Sequence, residues 1–127
     1  MNLTDSNRDL TARVEELSGE NVYSCYQCGK CSAGCPFTED MDLLPNQVIR
    51  KVQFGDESVL KTETPWICAS CLSCEVDCPK GNDVPAIMEG IREISLRQNV
   101  DEVDLKQMDT RGLPEIALVS NLRKKTG

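Results

Sequence analysis

Apolar residues along this chain recur at helical spacing in several separate stretches, and no stretch alternates as a strand would. Leu10, Val14 and Leu17 share one face, predicting a short amphipathic helix from Asp9 to about Ser18, ended by Gly19. Leu44, Val48, Ile49 and Val52 form a second stripe, with Arg50, Lys51 and Gln53 turned outward. This predicts a helix over 42–54, capped by Asp42, with Pro45 in its first turn and Gly55 as its stop. Val59 and Leu60 make a smaller patch. Ile87, Met88, Ile91 and Ile94 line a third helix, which Asp83 caps and Pro85 opens; Glu89, Arg92, Glu93 and Arg97 face outward. Asp101, Glu102, Asp104 and Asp109 make the next stretch acidic. Gly112-Leu113-Pro114 then opens a last helix with Ile116, Ala117, Val119 and Leu122 available for burial, and Arg123, Lys124 and Lys125 at its C-terminal end. No Asn-Gly or Asp-Gly hairpin signal occurs. The expected fold class is all-α.

The segments between these helices carry the chemistry. Cys25-x2-Cys28-x2-Cys31-x3-Cys35-Pro36 is followed by Cys68-x2-Cys71-x2-Cys74-x3-Cys78-Pro79, and these runs use all eight cysteines. A helix follows each run, so the chain contains an internal repeat. Cysteines at every third position cannot share one helix face. They suit a tight loop that wraps a polynuclear cluster, with Gly29 and Gly34 relieving crowding and Pro36 stopping local structure. A lone C-x2-C would also fit zinc or a redox dithiol. Structural zinc would use paired knuckles with longer gaps and would not need the third cysteine or the proline, and no cysteine remains for a dithiol. The absence of histidine excludes a Rieske centre and histidine-ligated haem. The pattern is that of two-cluster ferredoxins, in which the fourth cysteine of each run ligates the other cluster. Two [4Fe-4S] clusters are therefore expected: one on Cys25, Cys28, Cys31 and Cys78, the other on Cys68, Cys71, Cys74 and Cys35.

Composition narrows the picture further. With 127 residues and 4% aromatics, the chain has little to build a core from. The clusters would staple it, and the metal-free chain is expected to be largely disordered. The expected organisation is an N-terminal extension over 1–20, a two-cluster domain over 21–99 and a partner-docking segment over 100–127. The formal net charge of -7 argues against nucleic acid. Neither a signal peptide nor a membrane-spanning apolar stretch is visible, and the many cysteines suit a reducing compartment, so a cytoplasmic location is expected. Lys30 lies inside the first loop, and Glu75 and Asp77 inside the second. These charges favour the extra electron on the first cluster unless solvent screens them. Tyr23, Tyr26 and Trp66 lie near the ligands and would shield the clusters or present an aromatic docking spot. No histidine base, nucleophile elbow, phosphate loop or flavin fingerprint is present, so no catalytic residue is assigned.

Two stretches carry a resemblance to a known family. Tyr23-Ser24-Cys25-Tyr26-Gln27-Cys28-Gly29-Lys30-Cys31-Ser32-Ala33-Gly34-Cys35-Pro36 resembles the small, C-type iron–sulfur subunit of heterodisulfide reductase. So does Trp66-Ile67-Cys68-Ala69-Ser70-Cys71-Leu72-Ser73-Cys74-Glu75-Val76-Asp77-Cys78-Pro79 with the following Asp83-Val84-Pro85. The likeness extends over about residues 21–97. It implies an alpha-helical ferredoxin domain, with the same assignment of cysteines to clusters. It also implies a relay role between an A-type subunit, which holds flavin and clusters, and a catalytic B-type subunit. The latter has CCG motifs and reduces the coenzyme M–coenzyme B heterodisulfide; this chain has no adjacent cysteine pair and is not of that type. Relay subunits of other heterodisulfide-reductase-like complexes share the same chemistry. A freely diffusing two-cluster ferredoxin is the alternative, as is a module whose clusters only hold the fold.

Overall fold

The computed structural model describes residues 5–96, 103–107 and 109–126, and of 5–8 and 123–126 the backbone alone. Its helices are α1 (Asp5–Ser18), α2 (Lys30–Ala33), α3 (Pro45–Gln53), α4 (Thr64–Ile67), α5 (Ser73–Val76), α6 (Val84–Leu96) and α7 (Glu115–Thr126). Single 3-10 turns lie at Val22–Ser24 and Glu57–Lys61, and the described residues contain no strand. The chain divides into two compact units, Met1–Ser95 and Leu96–Gly127.

In the first unit, the three apolar stripes meet in one core, except for Leu17 and Leu44 at their ends, which are exposed. Leu10 and Val14 of α1, Val48, Ile49 and Val52 of α3, and Ile87, Met88, Ile91 and Ile94 of α6 are all buried. Val22 and Val59, from the two 3-10 turns, close the core, and Cys31 and Cys74 belong to it. The core is aliphatic and runs directly into the cysteine loops. The buried Thr11 Oγ1 donates to the Val52 carbonyl (2.7 Å), satisfying a hydroxyl that would otherwise be costly between α1 and α3.

Gly90 lies where α6 faces α1. A Cβ there would sit 3.5 Å from the Val14 carbonyl oxygen and 3.6 Å from the Leu17 Cβ, which is ordinary contact. Gly90→Ala should therefore stabilise the holoprotein by about 1 kcal/mol through helix propensity, read as a rise in thermal midpoint. Gly90→Leu should lower it by forcing α1 away. A fall with alanine would show that the two helices cannot yield even to ordinary contact.

Two boundaries differ from the pattern reading. α1 begins at Asp5 rather than Asp9, because a polar first turn leaves no apolar periodicity to detect. α3 begins at Pro45, with Leu44 at the N-cap position, and Asp42 has another role. The Asp42 carboxylate accepts from Leu43 N (2.9 Å), Glu63 N (3.1 Å), Thr64 N (3.0 Å) and Thr64 Oγ1 (2.7 Å). It thus fastens the chain before α3 to the start of α4, which leads into Cys68. These bonds, the Thr64 hydroxyl first, hold its carboxyl below the usual range. The Lys51 ammonium and Ser58 lower Asp56 to about 2. A depressed carboxyl contributes stability above its unfolded value and loses it as pH falls through the folded one. Asp42→Ala should cost about 1 kcal/mol at neutral pH. The gap in thermal midpoint from the parent should close on acidification below the ordinary carboxylate range. A pH-independent gap would place the loss elsewhere.

α6 starts as expected, with Asp83 Oδ1 accepting from Ala86 N (2.8 Å). In the second unit, Asn121 accepts from Val103 N (3.0 Å) and donates to its carbonyl (2.7 Å), pinning the preceding segment to α7. Ile116, Val119 and Leu122 are 73%, 52% and 51% exposed, so the apolar set of α7 is not buried. Arg97, Asp101, Glu102 and the side chains of Arg123, Lys124 and Lys125 lie outside the described residues. Among the described residues, no helix is long and apolar enough to cross a membrane.

Candidate metal centres

Each cysteine run is a loop followed by one helical turn, and the two repeat each other in backbone and burial. Gln27 and Gly29 flank Cys28 with φ of 64° and 79°; Ser70 and Leu72 flank Cys71 with φ of 53° and 64°. Left-handed residues on both sides of the middle cysteine curl the chain into a cup. Glycine takes that conformation freely at 29, whereas Leu72 bears roughly 1–2 kcal/mol of strain. Cys25 and Cys68 are half-buried, Cys28 and Cys71 exposed, Cys31 and Cys74 buried, and Cys35 and Cys78 half-buried. Gly34 has an ordinary right-handed backbone, so crowding within the loop is not its reason. A Cβ there would run into the Asp77 carboxylate, because α2 packs on α5 where the two runs meet.

That packing encloses two cavities. One is bounded by Cys25, Cys28, Cys31 and Cys78, with Lys30, Asn46 and Asn82 on its wall. The other is bounded by Cys68, Cys71, Cys74 and Cys35, with Phe37, Met41, Pro45, Pro85 and Met88. Val84, at the head of α6, lies on both walls. Each cavity thus takes three cysteines from one run and the fourth from the other. Among the described residues, no three His, Cys, Asp or Glu side chains converge closely enough for a single metal ion. The thiols ring cavities instead, as a polynuclear cluster requires.

The electrostatics fit such a group. Burial raises the Cys31 thiol above its ordinary range. Burial, with Cys68 and Cys31 nearby, pushes Cys74 up to about 12. Cys71 is lowered, chiefly by the Ser73 backbone N–H. Thiols as buried as those of Cys31 and Cys74 resist becoming thiolates unless a cationic core sits beside them. Gln27 Nε2 donates to Cys25 Sγ (3.5 Å) and Asn82 N to Cys78 Sγ (3.4 Å), while the Ser73 hydroxyl lies 3.6 Å from Cys71 Sγ. These are the hydrogen bonds that hold and tune cluster ligands.

Periodicity misassigned two residues that position the loops. Gln53 turns inward, and its Nε2 donates to the carbonyls of Val22 (2.8 Å) and Cys25 (2.9 Å). Arg92 Nη1 donates to the Cys68 carbonyl (3.2 Å). Gln53 thus adds a second donor to the Val22 carbonyl, which Cys25 N already reaches, and ties the Cys25 carbonyl to α3, while Arg92 ties the Cys68 carbonyl to α6. Asn46 and Asn82 were also missed. They accept from the hydroxyls of Ser32 and Ser24, each at 2.5 Å, tying the cysteine loops to α3 and to the approach to α6. A polar residue at the edge of an apolar stripe carries no such signal in the sequence.

The charge comparison between the loops also weakens. Lys30 and Asp77 are exposed and screened, and the half-buried Glu75 shares the second run with the Arg92 cation. Tyr23, Tyr26 and Trp66 are 62%, 59% and 46% exposed, more than residues sealing a site from water would be. Tyr26 lies beside Cys28, Cys78 and Cys25. Its hydroxyl is raised by partial desolvation and then by a hydrogen bond with Cys28, and Lys80 Nζ lies 5.7 Å from the ring centroid.

Residues 21–82 match the family described as the 4Fe-4S dicluster domain. With eight cysteines shared between two cavities, this segment is a two-cluster iron–sulfur domain that carries [4Fe-4S] clusters. The chain is related to the C-type subunits of heterodisulfide reductases. It is 37% identical over 76 residues to the C-type subunit of the ferredoxin:CoB-CoM heterodisulfide reductase of Methanosarcina acetivorans, covering 60% of this chain and 31% of that protein. The equivalent protein of the same name from Methanosarcina mazei is 28% identical over 86 residues, covering 68% and 53%. The second C-type iron-sulfur subunit of the CoB–CoM heterodisulfide reductase of Methanocaldococcus jannaschii is 30% identical over 79 residues, covering 62% and 42%. The matched part thus spans about a third to a half of the length of these relatives.

Proposed function

We propose that this chain is the electron-relay subunit of a heterodisulfide-reductase-like complex. Its first cluster would be held by Cys25, Cys28, Cys31 and Cys78, and its second by Cys68, Cys71, Cys74 and Cys35. The observation that carries this reading is the pair of cavities, each taking one cysteine from the other run. When bound, the clusters supply one-electron transfer. The protein's part is to hold them close together, with α2 against α5 and Val84 between the cavities, so that an electron reaching one passes to the other. Cys28 and Cys71, exposed on opposite runs, give each cavity a side from which a partner's redox centre can approach.

The partners would be an A-type subunit with flavin and clusters, and a B-type subunit with CCG motifs that reduces the coenzyme M–coenzyme B heterodisulfide, in the cytoplasm. Residues 21–99 would carry the clusters, and the exposed apolar residues of α7 would belong to a docking segment over 100–127. Purification of the native complex and rapid-mixing spectroscopy test this. Reduction of the A-type flavin should be followed by reduction of this chain's clusters and then by heterodisulfide consumption. Turnover at an unchanged rate in a complex depleted of this chain would exclude the relay role. A stable, unaccompanied holoprotein that reduces unrelated oxidoreductases would point to the freely diffusing ferredoxin.

A further inference from the structure

Asn82 is 4% exposed, and its Nδ2 is the buried side-chain nitrogen that meets no acceptor among the described residues. An enclosed amide N–H without a partner is costly, so it signals a missing acceptor. The side chain forms part of the wall of the cavity bounded by Cys25, Cys28, Cys31 and Cys78. The backbone N–H of the same residue already points at Cys78 Sγ (3.4 Å). The other end of the amide lies 2.5 Å from Ser24 Oγ, whose single proton also faces the Asn21 carbonyl (2.6 Å), so this contact places the amide without choosing which end faces the cavity. Turning the amide over would aim a carbonyl oxygen at anionic sulfurs, so the loaded site fixes the nitrogen inward. The second cavity presents Phe37, Met41, Pro45, Pro85 and Met88 at its wall, and no asparagine.

We propose that Asn82 is a positioning residue of the first cluster, donating its side-chain N–H to a sulfur there and raising that cluster's reduction potential. This rests on the ligand assignment given under the proposed function. A hydrogen bond to sulfur favours the state with more negative charge, which is the reduced one. Asn82 thereby makes the first site hold its electron more firmly than the same cysteines would alone. Cys31 and Cys74 remain equivalent in burial, so the repeat itself does not supply this difference.

The test is a redox titration of the loaded protein, followed by paramagnetic resonance, with iron and sulfide counted in every sample. In Asn82→Ala, the midpoint potential of one cluster should fall and that of the other should stay. Asn82→Ser, which keeps a donor, should show a smaller fall. The signal that moves should be the one lost in Cys28→Ala. An unmoved midpoint with both clusters fully loaded would overturn the role of Asn82 and leave the ligand assignment standing. Movement of the signal lost in Cys71→Ala would overturn it too. If Cys78→Ala and Cys28→Ala abolish different signals, the ligand assignment itself fails. If Asn82→Ala does not load, the protein with Asn46→Asp, carrying asparagine labelled with 15N at the side-chain amide alone, decides, because the backbone N–H of Asn82 and the amide of Asn46 also lie at this cavity. A nitrogen hyperfine coupling on the first cluster supports the donor, and its absence overturns it.

Discussion

Replacing Cys35 by alanine is expected to remove about half the iron, and the cluster lost should be the one held by the distant Cys68, Cys71 and Cys74. In the chain, Cys35 lies four residues after Cys31 and far from Cys68. In the fold it borders the second cavity and is absent from the wall of the first. The x3-Cys-Pro turn that follows α2 carries it across the α2–α5 contact. Cys78 makes the reciprocal crossing, and its variant should lose the first cluster. The exposed Cys28 and Cys71 supply references, since each belongs to one loop without ambiguity. Cys35→Ala and Cys71→Ala should abolish one resonance signal, Cys78→Ala and Cys28→Ala the other. Pairing of Cys35 with Cys28 instead would mean that each run closes on its own cluster, and the halves would then be separable. A three-iron signal in Cys35→Ala, with slower loss of iron, would still mark the second site as the damaged one.

The sequence displayed the helices and the ligands because both are periodic. Val48, Ile49 and Val52, and Ile87, Met88 and Ile91, announced their buried faces through spacing, and the cysteine runs announced the clusters through theirs. The deciding contacts of Asp42, Gln53, Asn82 and Arg92 are not periodic. Each is a polar side chain reaching a group 20 or more residues away or a neighbouring loop: Asp42 to Thr64, Gln53 to Val22, Arg92 to Cys68, and Ser24 to Asn82. Local pattern reads such residues as solvent-facing, because the distant polar groups that recruit them come within reach only after folding. Likewise Gly29 looked special and Leu72 did not, although both occupy the same left-handed turn. The repeat in backbone is stricter than the repeat in residues, and only the fold shows it.

Stripping the iron should unfold the first unit rather than leave an open version of it. Under anaerobic chelation the far-UV helical signal should fall by more than half, and the cooperative thermal transition should disappear; reconstitution should restore both. The argument begins with α2, α4 and α5. Each is four residues long, well short of what helix nucleation sustains alone. Gln27, Ser70 and Leu72 each hold a left-handed backbone at roughly 1 kcal/mol or more, and that strain is sustained only while the loop is tied to something. Cys31 and Cys74 sit inside the aliphatic core, so the ligand loops and the core cannot separate without exposing both. Among the described residues no aromatic side chain contributes to that core, which leaves α1, α3 and α6 a modest shared surface. Structural metal sites return on the order of 10 kcal/mol to small domains, comparable to a domain's whole stability. α7 carries no cysteine and lies in the second unit, so its contribution to the signal should persist. A metal-free protein that still melts sharply and keeps its helical signal would show that α1, α3 and α6 fold by themselves, and that the clusters are guests in a finished scaffold.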